Sequence, residues 1–257
     1  MGRALQVLRL LAAAPGPLPA AALAEQLGAP RASTYRLLRA MADDGFVVHF
    51  PEEGRWGLGV ATFEVGQAYL RRQPLERLAR PLVLRLVATT RRTVHLGVLH
   101  GPETLYLLVE RPPTSAPLVT AVGVRLPAQL TASGRSLLAQ LPEEQVRALF
   151  AEGVVRRGGR GPVDVEALLR GLADERAVGW SVEDGLVTPG WSSVAAAAFD
   201  GTGRPVAAVS VTTPTDDRRP REELVQAVRG AADALTRRLG GPARDTPGPG
   251  ARGPARR

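Results

Sequence analysis

Between Ala20 and Gly45 the chain carries two helical patterns separated only by the turn Gly28-Ala29-Pro30. In the first, Leu23 and Leu27 stand four apart, and Gly28 falls where a helix C-terminus wants positive φ. The second runs from Arg31 to Asp44-Gly45. Upstream, residues 4–14 set Leu5, Leu8, Leu11 and Ala12 on one stripe of an amphipathic helix that Pro15-Gly16-Pro17 stops. Three helices with so short a final turn predict a helix-turn-helix.

Projecting residues 31–44 at 100° per residue puts Thr34, Leu37, Leu38 and Met41 on one face, and Ala32, Tyr35, Arg36 and Arg39 on the other. Arg31 and Ser33 stand at the helix N-terminus. Arginine can fork onto a guanine edge or a phosphate, and Ser and Tyr hydroxyls can bond phosphate oxygens. Arg31, Ala32, Ser33, Thr34, Tyr35, Arg36 and Arg39 are therefore the candidate DNA contacts, although such a face is often simply solvated. The next segment favours DNA. Phe46–Phe50, a polar turn Pro51-Glu52-Glu53-Gly54, and Arg55–Gly59 predict a two-stranded wing with Val48, Phe50, Trp56 and Leu58 inward. Arg55, near its tip, is an eighth candidate contact, and His49 receives no role.

Charge distribution agrees with this reading. The chain has no lysine, and its net charge of +8 rests on arginine alone. Residues 1–92 hold 13 Arg against 7 acids, residues 93–239 hold 16 against 17, and residues 240–257 hold 4 against 1. Codon bias toward arginine would not segregate the excess into the first third and the tail, so a polyanionic partner for the N-terminal part is expected. The absence of cysteine excludes disulfides, thiolate metal sites and cysteine nucleophiles. No apolar run approaches the ~20 residues of a membrane span, and nothing reads as a secretion signal, so a cytoplasmic protein without membrane contact is expected.

Beyond the wing, residues 61–73 and 75–92 predict two linker helices, the second with Leu75, Leu78, Leu82 and Leu86 on one side. From residue 93 short apolar runs predict strands at Val94–Leu99, Leu105–Glu110, Leu118–Val122, Trp191–Phe199 and Pro205–Thr212. Helical patterns lie at 131–141, 143–152, 164–177 and 219–239. The expected class is α+β: a DNA-binding domain at 1–60, linker helices at 61–92, an α/β domain with an antiparallel-leaning sheet at 93–239, and a disordered basic tail at 240–257.

GAPRASTYRLLRAMADDGFV followed by GRWGLG resembles the winged helix-turn-helix of the IclR family of bacterial transcriptional regulators. LTASGRSLLAQLP at 130–142 resembles that family's effector-domain helix motif. The stretch ERAVGWSVEDGLVTPGWSSVAAAAFDGTGRPVAAVSVTTP at 175–214 resembles its C-terminal block. The resemblance implies a GAF-like effector domain, a homodimer or homotetramer, a double-stranded DNA operator, and control by a small metabolite, with repression the favoured sign and no cofactor. Carried over position by position, it places an effector pocket at Ala132 and Ser133, at Glu183 where the family usually has Asp, at Ser193 where it often has Cys, and at Ser210 and Thr212. Gly185 and Leu186 replace an acidic pair. Trp180 and Trp191 lie near the same segment, either as core or as walls of a more aromatic pocket.

Other functions are disfavoured by the residues. His49, His95 and His100 offer no metal spacing, and no G-x-S-x-G elbow is present. Gly158-Gly159-Arg160-Gly161 reads as a flexible turn, lacking the strand and helix context of a phosphate cradle. Non-specific single-strand binding would need aromatic platforms on strands, which are missing. A C-terminal domain used only for oligomerisation is the main alternative to effector control.

Overall fold

The computed structural model describes residues 2–72, 74–113, 118–151 and 163–242. Most of the basic tail and the Gly158–Gly161 turn lie outside these residues. The chain divides into two compact units, Met1–Gln73 and Pro74–Arg257.

In the first unit, helices α1 (Gly2–Ala13), α2 (Ala20–Gln26) and α3 (Arg31–Asp43) precede the hairpin β2 (Val47–Phe50) and β3 (Arg55–Leu58), and α4 (Val60–Arg72) follows. A two-residue strand β1 (Leu18–Pro19) pairs with β3, giving the order β1-β3-β2. Gly28 takes φ 58°, so the turn between α2 and α3 closes without Cβ strain while Ala29 N donates to Ala24 O at 3.0 Å. Val7, Leu11, Leu23, Leu38, Met41, Val47 and Trp56 form the core.

Two expectations here are corrected. The buried stripe of α1 is Val7 and Leu11 with Leu8 beside them, whereas Leu5 is 58% exposed. In the hairpin, Val47 pairs with Leu58 and His49 with Trp56, while Val48 opposes Gly57 and Phe50 opposes Arg55. Val48 and Phe50 therefore point away from Trp56 and are exposed, as is Leu58 at the hairpin's open end; Val47 and Trp56 supply the inner face.

The second unit begins with α5 (Pro74–Thr90). It is a core element of this unit, because Ala79, Leu82, Val83 and Leu86 pack on the sheet. Six antiparallel strands follow the order β6-β5-β4-β9-β8-β7, with β4 Thr93–His100, β5 Glu103–Glu110, β6 Arg125–Pro127, β7 Ser181–Asp184, β8 Trp191–Phe199 and β9 Pro205–Pro214. The expected strand at Leu118–Val122 does not form. That segment is irregular, and pairing with β5 falls instead to β6. Helix α6 (Ala132–Leu138) lies on one face of the sheet and packs with α7 (Glu143–Phe150) and α8 (Val165–Val178); α5 and α9 (Arg221–Arg238) cover the other. Among the described residues no helix is long and apolar enough to cross a membrane.

Strand register sorts the sheet's chemistry. Val182, Val194, Val211 and Val94 pair in a row across β7, β8, β9 and β4, and three of them are fully buried toward the α5/α9 side. The neighbouring rows alternate to the opposite face. One contains Glu183, Ser193, Thr212 and Thr93; the other contains Ser181, Ala195, Ser210 and His95.

Candidate nucleic-acid interface and ligand pocket

On α3 the side chains of Arg31, Ala32, Tyr35, Arg36 and Arg39 are exposed and Ser33 is half-buried. Thr34 is 2% exposed on the core side, with its hydroxyl buried and unpartnered among the described residues, so it cannot be one of the DNA contacts. The exposed face is braced from below. Tyr35 meets Trp56 edge-on at 5.7 Å, the cross-strand His49 ring lies 4.4 Å from Trp56, and the Arg39 guanidinium stands 5.5 Å over the Tyr35 ring. These contacts tie the orientation of α3 to the hairpin. Arg55 is exposed and donates from Nη1 to Pro17 O at 2.9 Å, which anchors its fork beside β1.

In the second unit, Ala132, Ser133, Glu183, Ser193, Ser210 and Thr212 line one cavity. They arrive there through strand parity and the start of α6, whose first turn is capped by Thr131 accepting from Gly134 N at 2.9 Å. Gly134 is required by close approach: a Cβ there would sit 2.3 Å from Ala128 O and 2.4 Å from Thr104 Oγ1. The cavity encloses about 370 Å³ including its mouth, with room inside for little more than water.

Its polar wall is a connected network. Ser193 donates to Glu183 Oε1 at 2.9 Å and lies 2.9 Å from Thr212 Oγ1; Leu186 N donates to Glu183 Oε2 at 3.0 Å; Ser133 donates to Ser210 Oγ at 2.9 Å. Burial pushes the Glu183 carboxyl above its ordinary range, opposed by the Ser193 hydroxyl and the Leu186 and Val187 amides. Burial likewise pushes the Tyr106 phenol up to about 12. Among the described residues no arginine or histidine lines it.

Tyr106, Leu118, Thr120, Thr131, Val187 and Thr188 also line the cavity, and sequence reasoning did not find them. Thr120 and Leu118 come from the irregular segment that reads as a strand. Thr120 is held by His95, whose Nε2 lies 2.8 Å from its hydroxyl, and by Arg111, which donates to its carbonyl. His95 is buried, lies 5.1 Å from Tyr106 with the rings tilted by 51°, and is pushed down to about 3 by burial and then by the Arg111 charge. The signal that could have found it is parity: His95 pairs with Ser210 and so shares its face. The two tryptophans divide. Trp191 lines the cavity, whereas Trp180 packs with Val194 and Val225 on the α9 side as core.

The chain matches known proteins over nearly its whole length. The IclR helix-turn-helix domain matches residues 2–50, and the bacterial transcriptional regulator IclR C-terminal domain matches residues 67–237. The transcriptional repressor IclR of Escherichia coli (strain K12) is 31% identical over 223 residues, covering 84% of this chain and 81% of that protein. A crystal structure of an IclR transcriptional regulator from Alicyclobacillus acidocaldarius superposes with a TM-score of 0.80 at 25% identity, over 93% of this chain and 98% of that one. A crystal structure of an IclR homolog from Microbacterium hydrocarbonoxydans, complexed with 4-hydroxybenzoate, gives 0.79 at 25% identity over 92% and 97%. With both domain models matched in chain order, the chain belongs to the IclR family of bacterial transcriptional regulators, which act by binding DNA.

Proposed function

We propose that this regulator is a cytoplasmic repressor whose α3 enters the major groove of a double-stranded operator, with the β2–β3 hairpin on the flanking backbone. Arg31, Arg36 and Arg39 supply affinity, and Ala32, Ser33 and Tyr35 the close fit. Two copies would bind a pseudo-palindromic site as a homodimer, alone or within a homotetramer. The C-terminal cavity holds a small effector through Ser133, Glu183, Ser193, Ser210 and Thr212, and changes operator affinity by a coupling of about 1–3 kcal/mol. The observation that carries this reading is the pairing of an exposed arginine face on α3 with a buried wall of hydroxyls and a carboxylate around a cavity in a separate unit. The E. coli relative is named a repressor and the Microbacterium homolog holds 4-hydroxybenzoate, both in keeping with it.

Anisotropy titration of the full chain against DNA upstream of its own gene, compared with scrambled DNA, tests the first half. A triple alanine variant at 31, 36 and 39 should lose affinity and flatten the salt dependence; unchanged binding would sink the α3 assignment. Assembly alone is the second reading for the C-terminal unit, favoured by the narrowness of its cavity. A metabolite thermal-shift screen with Ser210→Val as the control separates the two.

A further inference from the structure

The hydroxyl hydrogens around the cavity can be assigned a direction, because several of them have only one place to go. Ser193 has a single hydroxyl hydrogen, and it is given to Glu183 Oε1 at 2.9 Å. The 2.9 Å contact between Ser193 and Thr212 must then have Thr212 as donor. Glu183 receives Ser193 on one oxygen and Leu186 N on the other, which suits a carboxylate. With Glu183 ionised, as its Ser193 and Leu186 donors favour, Glu183, Ser193 and Thr212 have spent every hydrogen along this edge, and what they turn to the cavity is lone pairs.

The other side has the opposite polarity. Ser210 accepts from Ser133, so its own hydrogen remains to be given. For Thr120 the direction is set by His95. A neutral imidazole carries one N–H, and a buried N–H without an acceptor costs more than a bare ring nitrogen. His95 Nδ1 is buried with no partner among the described residues, so the hydrogen belongs on Nε2, which donates to Thr120 Oγ1 at 2.8 Å. Thr120's hydrogen is thereby released toward the cavity it lines. Thr212 and Ser210 are two residues apart on β9, so the accepting and donating sides are separated by about 7 Å.

We infer that the cavity selects its effector by hydrogen-bond polarity: the Glu183–Ser193–Thr212 edge takes an O–H or N–H group, and Thr120, oriented by His95, donates to a carbonyl or carboxylate oxygen of the same molecule. The ligand class is a small hydroxyl- or amide-bearing carbonyl compound, with its anionic group, if it has one, directed away from Glu183. Thr120 contacts the ligand and His95 is a positioning residue. This rests on the reading of the cavity as an effector site.

The test uses the full chain and three matched probe pairs in isothermal titration: 4-hydroxybenzoate with 4-methoxybenzoate, lactate with 2-methoxypropanoate, and acetamide with N,N-dimethylacetamide. At least one donor-bearing member should bind, with its methylated counterpart weaker by about tenfold or more. Thr120→Val and Thr212→Val should each cost a similar factor, and Thr120→Ser should restore binding. Equal affinity within a binding pair, or a Thr120→Val variant that binds like the parent, overturns the polarity assignment while leaving the cavity an effector site. Binding that Ser210→Val does not weaken, or no binding by any probe, removes the effector reading itself and this inference with it. Nitrogen-15 spectra of the unsubstituted protein supply an arm that depends on no variant folding: His95 should be the Nε2–H tautomer, and the Nδ1–H tautomer overturns Thr120's role.

Discussion

Arg135 of α6 reaches the buried carboxylate of Glu175 on α8, with Nε 2.6 Å from Oε1, while Ser181 of β7 donates to Glu175 Oε2 at 2.7 Å. Two residues before Arg135 is Ser133, and two after Ser181 is Glu183, so one carboxylate fastens both walls of the cavity. Glu175 is 2% exposed and burial pushes its carboxyl above the ordinary range, with Arg135 pulling the other way. Glu175→Ala would leave a largely buried guanidinium without its counter-charge and should destabilise the second unit by about 3–5 kcal/mol in urea unfolding. A loss below about 1 kcal/mol, on the order of a surface pair, would mean that the pair does not hold α6 in place.

Glu183 yields a prediction for pH. Its folded carboxyl lies above the ordinary 4.5, so the native state holds the proton more tightly than the unfolded chain does. The stability linked to that proton is complete below pH 4.5 and is lost as pH rises through the folded value. Glu183→Gln has no proton to lose, so its melting temperature should gain on the parent's as pH rises above 4.5. A difference that stays flat across that range would contradict the burial argument.

Thr34 and its exposed neighbours on α3 should separate stability from DNA binding. Thr34→Val removes a buried hydroxyl that has no partner among the described residues and should raise stability by about 1 kcal/mol, leaving operator affinity unchanged. Arg36→Ala with Arg39→Ala should do the reverse: stability near that of the parent, weaker binding, and a salt slope reduced by about 0.9 for each phosphate that is no longer neutralised. Urea melts and anisotropy titrations on the same samples give both readouts.

Gly134→Ala is expected to be damaging despite its small size. Its Cβ would collide with the Ala128 backbone and Thr104 Oγ1, neither of which is the end of a flexible chain. Accommodating it should cost about 1–3 kcal/mol or more and displace Ser133 from Ser210. Circular dichroism melts check the first expectation, and loss of any effector-induced thermal shift checks the second.

The helices were legible in the sequence because each carries an apolar stripe and a stop: Pro15-Gly16-Pro17 after α1, Gly28 after α2, Gly45 after α3. Trp191–Phe199 and Pro205–Thr212 were equally plain as runs of small and β-branched residues. The hairpin's inward face was not legible, since Val47-Val48-His49-Phe50 offers apolar groups to both sides and only the pairing of His49 with Trp56 settles the parity. At Leu118–Val122 the composition suits a strand, but Thr120 is drawn down by His95 and Arg111 instead of joining the sheet. The rest of the cavity wall escaped for a related reason. Tyr106 and His95 are ordinary strand residues in composition, and only pairing across distant strands reveals that they face α6.

The row of valines at 182, 194, 211 and 94 has a consequence for how such a sensor can change its chemistry. Each valine is flanked along its strand by residues that belong to the opposite face, so the adhesive that holds the sheet to α5 and α9 and the surface that reads a ligand are interleaved yet independent. Positions 183, 193, 210 and 212 lie on the face opposite that hydrophobic layer, so substitutions there act first on the ligand side. Inserting or deleting one residue in β8 or β9 would instead swap the two sets, burying hydroxyls against helices and lining the cavity with valine. Ligand preference in this fold is therefore open to revision by substitution and closed to revision by a change of strand length.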